Sequence, residues 1–163
     1  MTKPARLRSA VEGQTYFITA NTYERHRLFR YDTFAKLFIE TLYDYRRQGK
    51  YQIHPFVVMP EHFHLLLTPA RGVTIERALQ LIKGGYSYRV KTQLRRSFEV
   101  WQPGFTDRRV RVGEYGRMVE YIEQNPVKAG LVKNAKDYPY GSASGLSELD
   151  PAPSYLSGWK PQD

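Results

Sequence analysis

Hydrophobic and polar positions follow two different periods along the first half of the chain. Residues 15–23, "TYFITANTY", alternate weakly and are rich in β-formers, which predicts a first strand. Between residues 31 and 48 apolar side chains recur at helical spacing, so we expect an amphipathic helix with Asp32 as N-cap and Gly49 after its end. "YQIHPFVVM" and "HFHLLLTP" then predict two strands joined by the dipeptide "PE", a connection short enough to make them antiparallel neighbours.

The second half of the chain predicts two more helices with a short extended segment between them. A helix is predicted from Thr74 through "IERALQLIKGGYSYRVKTQLRR", and Gly84 and Gly85 favour a bend there or a close approach to a ligand backbone. "FEVWQPGF" and "RRVRV" predict a short extended pair around a Pro-Gly turn. A third helix is predicted over residues 113–125, ended by Pro126, and the turn-rich remainder predicts a surface tail.

This order of elements is typical of an α+β fold. We expect a ferredoxin-like, RRM-like antiparallel sheet covered by helices, with an additional C-terminal helix. A parallel doubly wound fold would need more regular alternation, and the sequence has no glycine-rich phosphate loop. At 163 residues the chain fits one domain, which we predict at residues 1–145, followed by a C-terminal tail at 146–163.

Composition narrows the class of protein. With 41% hydrophobic and 14% aromatic residues, the sequence indicates a folded globule. It contains no cysteine, which excludes disulfides and thiolate metal sites. No apolar run is long enough for a membrane span or a signal peptide, so we expect a soluble, cytoplasmic protein with no membrane partner.

The charge of the chain is strongly basic and concentrated in one region. Lys and Arg number 25 against 16 Asp and Glu, giving a net charge of +9 and predicting a polyanionic partner. Aromatic residues are interleaved with the basic ones between residues 83 and 117, a mixture suited to base stacking beside phosphate contacts. The alternative is a solvated basic face. The residues predicted to bind nucleic acid are Lys83, Arg89, Arg95, Arg96, Arg108, Arg109, Arg111 and Arg117.

Two of the four histidines, His62 and His64, lie one residue apart in a predicted strand. Alternate residues of a strand share a face, so both imidazoles can be directed at one metal ion. The next position on that face is Leu66, which excludes a pattern of three alternating histidines. Tyr121 and Asn125 lie four residues apart on one face of the third predicted helix. The amide oxygen of Asn125 could be the missing ligand, and the Tyr121 hydroxyl would then lie beside the metal as a reactive group. The alternative is a pair of polar residues at a strand start.

Other tyrosines compete with Tyr121 for a chemical role. The chain has 13 tyrosines, and Tyr86 and Tyr88 in "KGGYSYR" are the competing candidates for a nucleophile. We interpret both as packing or base-stacking residues, since the preceding glycines would let DNA approach closely.

Four further titratable residues have less support as site residues. Glu61 directly precedes His62, so its side chain would point to the opposite face of the strand. We interpret it as a turn residue. Asp107 is either an acidic group near the metal or, as we prefer, a salt-bridge partner of a neighbouring arginine. His26 and His54 have no partner at metal-ligand spacing, and we interpret both as structural or exposed.

The stretches "VVMPEHFHLLL", "WQPGF" and "EYIEQNPVKAGLV" followed by "YPYGSASG" resemble the HUH single-tyrosine transposases, and more closely their REP-associated tyrosine transposase branch. The resemblance extends over residues 15–145. It implies that His62 and His64 are metal ligands, that Tyr121 is the nucleophile, and that Asn125 is the polar ligand four residues later. Many insertion-sequence relatives have glutamine at that last position.

The resemblance also implies an activity. Such a protein is expected to be an endonuclease and strand transferase that acts on single-stranded hairpin or palindromic DNA of REP elements. It would work through a 5′-phosphotyrosine with Mg²⁺ or Mn²⁺. The protein would be located in the cytoplasm of a prokaryote and associated with the nucleoid. A monomer would match the REP-associated branch, whereas a homodimer would match the insertion-sequence relatives. The alternative function is a non-catalytic protein that binds structured single strands.

Overall fold

The computed structural model of the chain describes residues 13–156. Its strands are β1 (Tyr16–Asn21), β2 (Tyr51–Met59), β3 (His62–Pro69) and β4 (Thr106–Arg109). Its helices are α1 (Asp32–Arg47), α2 (Ile75–Gln93) and α3 (Tyr115–Lys128). The strands form one antiparallel sheet in the order β2-β3-β1-β4. This βαββαβ arrangement with an added helix confirms the predicted α+β, ferredoxin-like fold.

The sheet is covered on both faces because alternate residues of its central strand are apolar on each side. Phe63 and Leu65 of β3 are buried in the core formed with α1 and α2. Leu66 points the other way and packs with Val119 and Ile122 of α3. The helix that carries Tyr121 therefore covers the same face of the sheet as His62 and His64. Within residues 13–156, no helix is long and apolar enough to cross a membrane.

The local sequence signals located most element boundaries. Both strands of the β2–β3 hairpin have the predicted bounds and are joined through the two-residue turn. The predicted N-cap of α1 is wrong: Tyr31 occupies that position and Asp32 is the first helical residue. The carboxylate of Asp32 instead pairs with Lys36 at 3.0 Å and accepts a hydrogen bond from the Tyr140 hydroxyl at 2.6 Å.

The glycine pair of α2 does not interrupt the helix, which is continuous over Ile75–Gln93. A side chain at Gly85 would overlap the ring and hydroxyl of Tyr45, which belongs to α1. Gly85 is therefore explained by close packing of the two helices and not by the approach of a ligand backbone, while the bend stays a prediction. Nothing lies within 4 Å of a side chain built at Gly84.

The expected extended pair around the Pro-Gly turn also does not form. Trp101 makes an isolated bridge with Thr22, and β4 pairs along β1. The partner of β4 is remote in sequence, so the local pattern could indicate an extended segment and could not identify its neighbour. Helix α3 likewise continues past Pro126 to Lys128, because a proline in the last turn disrupts few helical hydrogen bonds.

The described part of the predicted tail packs on the domain. The carboxylate of Asp150 accepts two hydrogen bonds from Arg46, at 2.8 and 2.9 Å, and one from the Ile53 amide at 2.8 Å. Leu156 is buried beneath α3. The described residues of the tail therefore pack on the surface of the domain, and the domain boundary at residue 145 stays a prediction. Residues 157–163 lie outside the described part of the chain.

His54 forms the centre of a buried polar network beside this tail. Its Nε2 is hydrogen-bonded to the Thr68 hydroxyl at 2.7 Å, which in turn contacts the Thr15 hydroxyl at 2.7 Å. Its Nδ1 lies 3.3 Å from the carbonyl oxygen of Asp150. Burial lowers the pKa of His54 below its ordinary value. The structural interpretation of this histidine is therefore confirmed.

The lowered pKa predicts a contribution of His54 to acid sensitivity. The folded protein takes up this proton less readily than the unfolded chain, where histidine has a pKa of about 6.5. The contribution to stability is thus complete above about pH 6.5 and is lost as the pH falls below it. We expect the difference in free energy of unfolding between wild type and His54→Gln to shift against wild type from pH 7 to pH 5 in urea titrations. Parallel pH profiles would contradict this role.

Candidate active site

The histidine pair lies on β3 with both rings on the face covered by α3. His64 is opposite Thr19 of β1, and His62 is opposite Asn21. The two imidazole centroids are 4.8 Å apart. The strand alternation expected from the sequence therefore brings the two rings together at one end of the sheet.

His64 presents a buried nitrogen that has no hydrogen-bond partner within residues 13–156. Its Nδ1 is hydrogen-bonded to the Thr19 hydroxyl at 2.7 Å, and the residue is only 5% exposed. Its Nε2 is buried and has no hydrogen-bond partner among the described residues. Burial, and secondarily the neighbouring His62, lowers the pKa of His64 to about 3. The ring is thus neutral at physiological pH, and its free nitrogen is available to a ligand.

His62 is oriented by the turn residue that precedes it. Its Nδ1 donates to the carboxylate of Glu61 at 2.9 Å, and the same carboxylate oxygen lies 3.3 Å from the guanidinium of Arg25. Burial lowers the pKa of His62, against the opposing effect of the Glu61 charge. A carboxylate on Nδ1 fixes the tautomer that leaves Nε2 free to coordinate a metal. Glu61 is a turn residue as expected, but it also contacts the histidine.

Tyr121 lies against this pair within the same chain. Its ring centroid is 5.3 Å from that of His64 and 6.1 Å from that of Phe17. Tyr121 is 47% exposed and is therefore accessible from solvent. Helix α3 buries Val119 and Ile122 against the sheet, and this amphipathic pattern directs Tyr121 along the edge of the helix toward the histidines.

Asn125 lies one helical turn after Tyr121 and is half-buried. Its role as a ligand stays a prediction. Among residues 13–156, no group of three or more His, Cys, Asp or Glu side chains could hold a metal ion. Any third protein ligand beside His62 and His64 would therefore have to be of another type, and an amide oxygen meets that requirement.

A cleft of about 560 Å³ opens beside Tyr121 and His64, and two arginines line it. Arg117 lies one turn before Tyr121 on α3, and Arg108 of β4 shares the sheet face of its partner Phe17. Arg108 donates to Glu114 at 2.9 Å and remains exposed. The cleft therefore combines the Tyr121 ring, the His64 imidazole and two arginines with two acidic residues, Asp107 and Glu114.

Asp107 also lines the cleft, yet its side chain is not directed at the histidines. Directly paired strand residues share a face, and Asp107 is paired with Ile18, whose side chain lies in the core on the α1–α2 side. This register does not support Asp107 as an acidic group near a metal. A salt bridge with a neighbouring arginine stays a prediction.

The predicted DNA-binding residues fall into two groups. Lys83 donates to the carbonyls of Gln102 and Gly104, at 3.1 and 2.7 Å, and Arg89 pairs with Asp44 at 2.9 Å while lying mostly buried. These two side chains are engaged in holding the fold together, so they are poor candidates for DNA contact. The other six are exposed and stay predicted DNA contacts: Arg95, Arg96, Arg108, Arg109, Arg111 and Arg117.

The competing tyrosines lie away from the histidines. Tyr86 is fully buried in the α1–α2 core, where its hydroxyl donates to the Phe34 carbonyl at 3.0 Å. Tyr88 is 68% exposed but belongs to α2, on the opposite face of the sheet from His62 and His64. Within one chain, only Tyr121 of these three tyrosines is close to the histidine pair.

Comparison with known proteins assigns the family. A family model described as "Transposase IS200 like" matches residues 10–125, which is more than half of the chain. The chain belongs to the IS200-like transposase family. A curated relative of this transposase, the REP-associated tyrosine transposase of Escherichia coli strain K12, is 29% identical over 147 residues, covering 86% of each chain.

A solved structure supports the same branch of the family. This IS200-like transposase superposes with a TM-score of 0.70 and 28% identity on a REP-associated tyrosine transposase bound to a REP hairpin. The match covers 91% of this chain and 90% of the other. The resemblance to REP-associated transposases that the motifs predicted is thereby confirmed.

Sequence reasoning missed two residues of the candidate site of this transposase. Glu61 and Thr19 hold the outer nitrogens of His62 and His64, respectively. Strand alternation placed Glu61 on the wrong side because it lies in the turn, where that alternation does not apply. Thr19 could be found only from the register between β1 and β3.

Proposed function

We propose that this transposase is a divalent-metal-dependent endonuclease and strand transferase for single-stranded hairpin or palindromic DNA, with Tyr121 as its nucleophile. The observation that carries the proposal is the contact between the Tyr121 and His64 rings, 5.3 Å apart, beside a buried imidazole nitrogen without a partner. A packing role for the pair would leave that nitrogen unpaired at a cost of about 1–3 kcal/mol. Binding of a ligand there removes the cost.

The residues present fit a divalent cation. The His64 and His62 rings are each hydrogen-bonded at Nδ1, to Thr19 and Glu61 respectively, and such outer partners typically orient a histidine for metal ligation through Nε2. We propose that these two nitrogens, with the amide of Asn125, would hold Mg²⁺ or Mn²⁺. When bound, the cation would polarise a phosphate oxygen and stabilise negative charge at the reacting phosphorus.

The proposed reaction is a phosphoryl transfer to tyrosine. The Tyr121 hydroxyl oxygen bonds to phosphorus, the bond to the 3′ oxygen of the preceding nucleotide breaks, and the phenolic proton passes to solvent. The departing oxygen takes up a proton and becomes a free 3′-hydroxyl. The downstream strand remains on the protein as a 5′-phosphotyrosine. A second 3′-hydroxyl attacking that phosphorus restores a phosphodiester and releases Tyr121.

The arginines of the cleft give the phosphate its position in this proposal. Arg108 and Arg117 line the same cleft as Tyr121, where their guanidinium groups can bind phosphate oxygens. A tyrosine hydroxyl in water has a pKa of about 10, so nearby positive charge favours the phenolate that must attack. Because Tyr121 meets His64 within one chain, the site needs no tyrosine from a second copy. We therefore propose that a monomer suffices for cleavage.

A direct test uses purified protein and a hairpin with single-stranded flanks, labelled separately at each end. With Mg²⁺ or Mn²⁺ we expect a covalent adduct that carries the 3′ label, together with release of the 5′-labelled fragment. The alternative, a binding protein without chemistry, predicts hairpin binding with no cleavage under either metal. That result with intact, folded protein would overturn the proposal.

Substitution of Glu61 or Thr19, which bond the Nδ1 atoms of the two histidines, should weaken the site without abolishing it. Glu61→Gln weakens the acceptor on His62 Nδ1, and Thr19→Val removes the hydroxyl from His64 Nδ1. We expect each substitution to weaken metal affinity or cleavage about 10- to 100-fold, because such partners orient the ligands without binding the metal. Metal titration of the cleavage rate would show a higher metal requirement. An unchanged requirement in both variants would contradict this positioning role.

A further inference from the structure

A second cleft, of about 430 Å³, lies between the segment before α1 and residues 98–100. Its rim carries Tyr31, which is 51% exposed, and Phe98, which is 47% exposed. Phe34 lies between them, with ring centroids 6.4 Å from Tyr31 and 6.1 Å from Phe98. Such exposed rings lose contact with water when a flat apolar group covers them, so the cleft offers stacking surfaces.

Positive charge surrounds these rings. The Arg30 guanidinium lies 4.7 Å from the centre of the Tyr31 ring and donates to its hydroxyl at 2.6 Å, which fixes the orientation of the ring. Arg27 also lines the cleft and is exposed, while Glu99 is the acidic residue on its wall. Fixed aromatic rings beside arginines are the combination that binds unpaired bases together with their phosphates.

The cleft is joined directly to the turn that precedes His62. The Thr22 amide donates to the Glu61 carbonyl at 2.9 Å, and the Phe29 amide donates to the Pro60 carbonyl at 3.0 Å. Glu61 then contacts His62 through its carboxylate. The segment that lines the cleft is therefore anchored at the same end of the β2–β3 hairpin as the histidine pair.

We infer that this cleft binds an unpaired base of the DNA strand, stacked on Tyr31 or Phe98, with Arg27 contacting an adjacent phosphate. The inference rests on the proposed function, because that function supplies the DNA strand. Stacking requires an exposed base face, which a paired stem does not offer. The cleft would thus bind the single-stranded flank of a hairpin and leave the stem to other surfaces.

The test compares two DNA molecules on a Tyr121→Phe background, where no cleavage can alter the substrate. One is a hairpin with a single-stranded extension, placed in turn on each side, and the other is the same stem without an extension. We expect Tyr31→Ala and Phe98→Ala to weaken binding of an extended hairpin by about 5- to 100-fold in fluorescence anisotropy. Binding of the bare stem should stay unchanged, and Tyr31→Phe, which keeps the ring, should bind nearly as wild type.

Leu146→Ala is the control, since it removes an exposed apolar side chain that lines neither cleft. Unchanged affinity for both extended hairpins, or an equal loss on the bare stem, would overturn the inference. Formation of the covalent adduct is measured in a separate experiment, with protein that retains Tyr121. If no adduct forms while the extension-dependent loss persists, the proposed chemistry fails and the base site stands. If adducts form without that loss, the base site fails alone.

Discussion

Tyr121→Phe is expected to abolish the covalent adduct and to lower DNA cleavage by at least about 10³-fold, because no other group would replace the nucleophile. The substitution removes one hydroxyl oxygen and keeps the ring, so contacts with Phe17 and His64 remain. Because the side chain is 47% exposed, the melting temperature should stay close to that of wild type. Hairpin affinity should also be retained.

Tyr88→Phe is the matched control for this prediction. It removes the hydroxyl of an exposed tyrosine on the opposite face of the sheet, and adduct formation should be unaffected. A Tyr121→Phe protein that still forms the adduct would exclude Tyr121 as the nucleophile.

His64→Leu is expected to abolish metal-dependent cleavage, with a loss of at least about 100-fold, while leaving the metal-free fold intact. The Nε2 that has no partner among the described residues disappears, but the Thr19 hydroxyl also loses its bond to Nδ1. The two effects oppose each other, so the free energy of unfolding of the metal-free protein should stay within about 1 kcal/mol of wild type. Wild type should gain about 2.7 kcal/mol when Mn²⁺ is present at 100 times its dissociation constant, and the variant should gain nothing. Thermal unfolding with and without Mn²⁺ measures both effects.

The control for His64→Leu is His54→Gln, which removes a buried histidine outside the site. Its stability should still rise with Mn²⁺. Equal stabilisation of wild type and His64→Leu by Mn²⁺ would show that the metal binds elsewhere. A large loss of metal-free stability in His64→Leu would instead identify a structural role for the imidazole.

The sequence predicted those parts of the fold that depend on neighbouring residues. Alternation and a two-residue turn were enough for the β2–β3 hairpin, and helical spacing located α3 and thus Tyr121. The pairing of β4 with β1 was not predicted, because strand partners distant in sequence leave no local signal. The need for glycine at position 85 was not predicted either, because the side chain that contacts it, Tyr45, belongs to another helix.

The candidate site shows the same division. His62 and His64 were located by parity along one strand, and the resemblance to a family added Tyr121 and Asn125. Charge alone could not separate exposed arginines from those in ion pairs within the fold, such as Arg89 with Asp44. Its environment depends on how α1 and α2 pack.

The measurement that tests the central claim most directly is mass spectrometry of the trapped protein–DNA adduct after nuclease and trypsin digestion. Trypsin releases residues 118–128, "MVEYIEQNPVK", in which Tyr121 is the sole tyrosine, and residues 84–89, "GGYSYR", which contain Tyr86 and Tyr88. We predict a 5′-phosphonucleotide on the first peptide, at Tyr121, and an unmodified second peptide. A nucleotide on the second peptide, or on any residue other than Tyr121, would contradict the proposed active site.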